Sequence, residues 1–158
     1  MANTDKPGDA IETLREWASQ ERTSCDWIVV DQARVDMFAH ATEDRYWLHT
    51  DPARAERESP YRSTIAHGFL LLSLTVGDDV DRITSLPGIA HVLNYGLDRV
   101  RFLAPVIAGA RVRVRSQLLS LVERRPGHWL LGQTKTVEVE GQRTPALVAE
   151  HLALVALA

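Results

Sequence analysis

The sequence predicts an α+β fold, one strongly apolar helix enclosed by an antiparallel sheet, and two observations carry that expectation. From Gly68 to about Val80 nearly every position is apolar or small, including Phe69, Leu70, Leu71, Leu72, Leu74 and Val76. A helix that is apolar almost all round belongs in a core, not on a surface. After Pro87-Gly88 the pattern changes period. Val92 to Phe102, Arg111 to Val122, Trp129 to Val139 and Leu147 to Leu157 are long runs of Val and Leu alternating with Arg or Thr. Turn-forming stretches separate them: Ala104-Pro105 to Gly109, Pro126-Gly127 and Glu140-Gly141. Such runs read as four strands of an antiparallel meander long enough to wrap the helix.

The elements before Gly68 follow from local signals. The first residues, through Asp9, lack the apolar stretch of a signal peptide and read as a tail. Asp9 to Gln20 places Ile11, Leu14 and Trp17 at helical spacing. The division expected is a tail with a short helix over 1–25 and a single domain over 26–158. Trp27 to Val30 is a short strand. Asp31 is an N-cap for a helix carrying Val35, Phe38, Ala39 and Thr42 on one face and ending near Glu43. Asp44 and His49 then fall in irregular chain. Asp51-Pro52 opens a second short helix, with Asp at the cap and Pro at its first position, and Ser59-Pro60 breaks it.

Composition excludes several classes of function. A chain of 158 residues, 45% hydrophobic and 25% charged, suits one ordinary core. A formal net charge of −3 gives no basic surface for nucleic acid, and the arginines alternate with apolar residues instead of forming a block. The longest uninterrupted apolar run, Phe69 to Leu72, is far short of the roughly 20 residues a membrane helix needs. Cys25 is the only cysteine, so no internal disulfide forms. A cytoplasmic setting is the expectation.

Chemistry concentrates in Asp44-Arg45-Tyr46-Trp47-Leu48-His49 and in Ser63-Thr64-Ile65-Ala66-His67-Gly68. A carboxylate and an imidazole five positions apart can hold one water between them. Apolar neighbours that desolvate Asp44 would suit it to proton transfer near neutral pH. Gly68, opening the buried helix, presents an orphan backbone N–H to an approaching carbonyl. Alone, each residue has an ordinary structural use. The six histidines show no i, i+4 pair and no His-Glu-x-x-His, so no metal is expected. Gly-x-Ser-x-Gly, phosphate-loop and dinucleotide fingerprints are absent, and no cofactor is expected.

Taken together, Glu43 to Ala55 and Ser63 to Leu70 resemble the MaoC-like, hot-dog-fold (R)-specific enoyl-CoA hydratases and dehydratases, especially their nodulation-protein-N-like branch. Asn94 to Val106 extends the likeness, which runs from about Trp27 to the C-terminus. The resemblance implies a sheet wrapped around a long central helix, and dimerisation or higher homo-oligomerisation through sheet edges. It also implies an acyl-CoA or acyl-carrier-protein thioester as substrate. The catalytic acid–base pair falls on Asp44 and His49 and the oxyanion-hole glycine on Gly68. Substrate contacts fall on Tyr46, Trp47, Ser63, His67, Asn94 and Tyr95.

The implied reaction is reversible hydration of a trans-2-enoyl thioester to the (3R)-hydroxyacyl thioester. A hot-dog thioesterase and a non-catalytic acyl-thioester-binding subunit are the alternatives. Four positions depart from the hydratase pattern. Glu43 replaces a glycine, Tyr46-Trp47 replaces Asn-Pro, and Val76 stands where some members carry a serine. Tyr46 and Trp47 either line the acyl tunnel and shape its specificity or pack outward.

Overall fold

In chain order the protein forms α1 (Pro7–Trp17), β1 (Arg22–Thr23), β2 (Ile28–Val30), α2 (Gln32–Thr42), α3 (Trp47–Thr50) and α4 (Pro52–Glu58). There follow α5 (Gly68–Ser73), α6 (Gly77–Thr84), β3 (Ile89–Phe102), β4 (Ala110–Arg125), β5 (His128–Val139) and β6 (Leu147–Leu157). This is a computed structural model that describes residues 7–17, 22–23 and 26–158. Cys25 and the first six residues lie outside the described residues, and with them the expectations about the tail and the lone thiol. Among the described residues no helix is long and apolar enough to cross a membrane.

The four alternating runs pair into one antiparallel sheet in the order β1-β4-β5-β6-β3, with β2 also on β4. This corrects the simple meander: β3 lies beside β6, not beside β4. The reason is the connection after Phe102. Its residues do not turn back tightly. They cross the end of the sheet, where Ala66 N–H donates to Val106 and Ala108 N–H to Thr64, at 2.7 and 2.9 Å. A crossover strap of this kind delivers β4 to the far side. The edge of β3 away from β6 carries no strand among the described residues, and Leu93, Tyr95 and Leu97 of β3 are exposed.

Period two sorts each strand into a covered and a wet face. On β4, Val112, Val114 and Ser116 are buried while Arg111 is exposed and Arg113 and Arg115 are only partly covered. The concave face carries two apolar clusters. One joins Leu70, Leu71 and Leu72 of α5 to Val112, Val114, Val137, Val139 and Leu147. The other joins Ile11 and Leu14 of α1 and Ile83 of α6 to Leu118, Leu131, Ala153 and Val155. Between the clusters runs a buried polar belt, Ser116, Gln133, Lys135 and His151. Lys135 Nζ donates to Asp79 of α6 and, at 3.0 Å, to Ser116, and Gln133 donates to Asp79 at 3.2 Å.

That belt accounts for a second correction. The expected single helix from Gly68 to about Val80 is two helices, α5 and α6, separated by Leu74, Thr75 and Val76. The Thr75 hydroxyl donates to the Leu72 carbonyl at 2.7 Å, and its N–H takes the same carbonyl at 3.1 Å, an i−3 contact that tightens the last turn. Gly77 follows, a weak helix former. The break re-aims α6 so that Asp79 reaches buried Lys135. An unpaired buried ammonium would cost several kcal/mol, so that contact outweighs helix continuity.

Candidate active site

Asp31 caps α2 as expected, its carboxylate accepting from Arg34 N–H at 2.9 Å. The helix stops at Glu43, which adopts φ 61°, in the left-handed region. That conformation costs a residue with a side chain about 1–2 kcal/mol, which explains why glycine suits this position. It swings the chain out of the helix directly into Asp44.

His49 lies in α3, a single helical turn closed by His49 N–H on Tyr46 and Asp51 N–H on Trp47, both at 2.9 Å. The expectation of irregular chain is corrected here: one turn is too short to show a period, and Asp51 already caps α4 through Arg54 N–H at 2.9 Å. Residues 64–66 run between α3 and the crossover strap. Ile65 N–H donates to Leu48 at 3.1 Å, and Ile65 bridges Ile107. This threaded segment fixes where His67 and Gly68 emerge.

The two imidazoles are oriented by backbone. His49 Nδ1 lies 2.7 Å from the Ile65 carbonyl oxygen. Only an N–H makes that contact favourable, so Nδ1 carries a proton and Nε2 of the neutral ring keeps its lone pair. His67 Nε2 likewise donates to the Asp44 carbonyl at 2.9 Å, and lies 4.0 Å from Asp44 Oδ2. The two rings stack with centroids 3.8 Å apart. Gln32 supports the turn from behind, its amide donating to the His49 carbonyl at 2.7 Å while its oxygen accepts from Thr64.

Polar atoms of Asp44, His49 and His67, one from each, all lie within 4.8 Å of one another. This separation suits a single water bonded to two of them at roughly 2.8 Å each. Among the described residues it is also the grouping close enough to face one cation. His67 Nε2 and His49 Nδ1 are held on carbonyls, which leaves the Asp44 carboxylate, His49 Nε2 and the buried His67 Nδ1 without hydrogen-bond partners, and of these His67 Nδ1 is shut off from solvent.

Beside the pair opens a cavity of about 380 Å³, with His49, Ile65, Gly68, Phe69, Phe102 and Pro105 on its walls. Gly68 begins α5, so its N–H has no acceptor inside the helix. A side chain on Gly68 would not point into open space. A Cβ there would sit 2.8 Å from two Phe102 ring atoms, so the glycine admits the Phe102 ring against the backbone.

The other expected site residues divide. Asp44 is not on the cavity wall, and its side chain remains 55% exposed, so the apolar surroundings expected to desolvate it do not cover it in this chain. His67 is 2% exposed and lies beneath Asp44 instead of on the wall. Ser63, Tyr46 and Trp47 do not line the cavity either. Tyr46 meets the His49 ring edge-on at 6.0 Å, and Trp47 is stacked by the Arg54 guanidinium at 4.4 Å. The tunnel-lining alternative for the two aromatics therefore finds no support in the cavity walls: Trp47 packs against Arg54 of α4, and Tyr46 against the His49 and Trp47 rings. Asn94 and Tyr95 line a second cavity of about 370 Å³ between α5 and β3, which shares Phe69 with the first and includes Val76.

Gln32, Phe102 and His151 belong to these surroundings and carried no sequence signal. Their parts depend on contacts across 17 residues (Gln32 to His49), on ring packing, and on 57 residues (Asn94 to His151). His151 is held neutral: burial, and secondarily the Lys135 charge, lower its pKa to about 4.

Against known proteins, a family model described as a MaoC like domain matches residues 15–140. The chain belongs to the MaoC-like hydratase/dehydratase family. This MaoC-like chain is 42% identical over 136 residues to nodulation protein N of Rhizobium leguminosarum bv. viciae, covering 86% of the chain and 84% of the relative. It is 39% identical over 144 residues to 3-hydroxyacyl-thioester dehydratase Z of Mycobacterium tuberculosis, covering 91% and 94%. Its fold superposes on the (R)-hydratase from A. caviae with TM-score 0.69 at 28% identity, over 85% of the chain and 92% of the hydratase. The hot-dog expectation is met: an antiparallel sheet curls round α5, with the central helix interrupted.

Proposed function

We propose that this MaoC-like protein adds water reversibly to trans-2-enoyl thioesters of CoA or an acyl carrier protein, giving the (3R)-hydroxyacyl thioester. The observation that supports the reading is that the oriented His49 imidazole and the orphan Gly68 N–H face one cavity, with the exposed Asp44 carboxylate close to His49 but off the cavity wall. His49, with Nδ1–H on the Ile65 carbonyl, offers Nε2 to a water that the Asp44 carboxylate also holds. The water oxygen adds to C3 as this pair accepts its proton, and the proton is returned to C2 from the same face. Negative charge developing on the thioester oxygen accepts a hydrogen bond from Gly68 N–H. A donor of this kind is worth roughly a hundredfold in rate or more. Because α5 is only six residues long, the contribution is that of the local N–H and not of an extended dipole.

Incubation with crotonyl-CoA tests the assignment. Hydration removes the enoyl absorbance without releasing thiol, a thioesterase releases thiol, and a binding subunit does neither. Asp44→Asn and His49→Gln should each lower kcat by about a hundredfold or more in a folded protein, the range of acid–base groups. Near-normal turnover by both variants would remove the pair from the mechanism.

A homodimer completes the reading. The edge of β3 that carries no strand among the described residues exposes Leu93, Tyr95 and Leu97, and a long open edge with exposed apolar side chains calls for cover. Pairing two such edges across a two-fold axis provides it.

A further inference from the structure

We propose that the cavity between α5 and β3 seats the acyl tail and that Asn94 there donates a hydrogen bond to an oxygen carried on the distal part of that tail. The proposal rests on the hydratase reading for the position of the thioester and deepens it by naming the substrate class: enoyl thioesters with an oxo or hydroxyl oxygen along the chain.

Continuity comes first. Phe69, the residue after Gly68, lines both cavities. A thioester whose carbonyl rests on Gly68 N–H therefore passes Phe69 into the second cavity. From Phe69 to Ser73 that cavity follows α5 for about 6 Å at 1.5 Å per residue, and it continues past the helix break to Val76. Phe69, Leu72, Val76 and Leu97 give it apolar walls suited to a hydrocarbon chain.

Ser73, Thr75, Asn94, Tyr95 and His151 bring polar groups to the same walls, and two of them, Asn94 and His151, are paired. His151 Nε2 lies 3.0 Å from Asn94 Oδ1, and His151 is only 5% exposed. Its Nδ1 is buried with no hydrogen-bond partner. The neutral ring has one N–H to place. On Nε2 it is satisfied by Asn94, whereas on Nδ1 it would be an orphaned buried donor, the costlier defect. His151 therefore donates, Asn94 Oδ1 accepts, and the amide is fixed with its NH₂ directed away from His151.

That NH₂ has no protein partner among the described residues, and Asn94 is an exposed residue on the wall of this open cavity, where a ligand oxygen would replace water on the amide. The hydroxyls of Ser73 and Thr75 are committed to the carbonyls of Phe69 and Leu72, at 2.8 and 2.7 Å. A register shift between Asn94 and Gly96 marks a bulge, a device that re-aims side chains near sites. His151 also stands between Ala149 and Ala153 on the same face of β6, where a small apolar residue would pack without the desolvation a buried imidazole entails.

Binding is measured by calorimetry with octanoyl-CoA and with its regioisomers carrying one oxo group on the distal half of the chain. None of these is an enoyl thioester, so affinity is read without turnover. The expected result is one regioisomer bound about tenfold more tightly than octanoyl-CoA. That ratio should collapse toward one in Asn94→Asp, which keeps the acceptor for His151 and deletes the donor, and in Asn94→Leu. Equal affinities in the native protein, no binding of any chain, or a ratio unchanged in a folded Asn94→Asp variant would each overturn the proposal. Crotonyl-CoA, whose short acyl group carries no distal oxygen, is assayed in parallel. Its turnover decides the hydratase reading independently.

Discussion

His151 makes stability fall with acidification in a way that can be worked out in advance. Its folded pKa, about 4, lies below the ordinary 6.5 because burial and Lys135 disfavour the cation. The unfolded chain therefore binds more protons than the native one throughout that interval. Stability is greatest above the unfolded value and declines as pH falls, levelling off below the folded value. The full difference is about 3 kcal/mol at 1.4 kcal/mol per unit, of which about 2 kcal/mol is lost between about pH 7 and about pH 5. Urea denaturation across that range, with native protein and His151→Gln side by side, isolates the effect from carboxylates common to both. The native protein should lose about 2 kcal/mol more than the variant on acidification. Parallel pH profiles would refute the argument, since they would mean that His151 protonates as readily in the fold as out of it.

Two further outcomes follow from the same geometry. Gly68→Ala should displace the Phe102 ring and destabilise the protein by about 1–3 kcal/mol, the usual range for overpacking. Adding Phe102→Ala should recover most of that stability in thermal or urea melts, and no recovery would show that the ring is not what the new methyl meets. Sedimentation at micromolar concentration should give a dimer or larger species, and a stable 17.7 kDa monomer would show that the β3 edge is left open.

The strands and the ends of α2 and α4 were legible in the sequence because their signals are local. Alternation such as Val112-Arg113-Val114 reports a half-buried strand wherever it occurs, and Asp31 and Asp51 cap helices through N–H groups three residues away. The nearness of Asp44 to His49, and of His49 to Gly68, was legible for a related reason, since α3 and the segment 64–66 convert short spacings into proximity. The break after Ser73 was not. Leu74, Thr75 and Val76 continue the apolar run and look like helix, and what divides α5 from α6 is a contact with Lys135, 56 residues beyond Asp79. Asn94 and His151 were separated in the same way.

The buried belt links these two illegible features. Lys135 calls for a counter-charge, and Asp79 supplies it from α6, the helix that follows the break at Leu74 to Val76. The break places Val76 and Thr75 at one end of the second cavity, and the Lys135 charge helps to hold His151 neutral at its wall. A neutral His151 has one proton, given to Asn94, which sets the direction of the Asn94 amide. An ion pair that lines neither cavity thus bears on both the length and the polarity of the second one. Replacing the pair by apolar residues of similar size would preserve or raise stability, as buried pairs often allow, while removing the constraint that shapes the cavity.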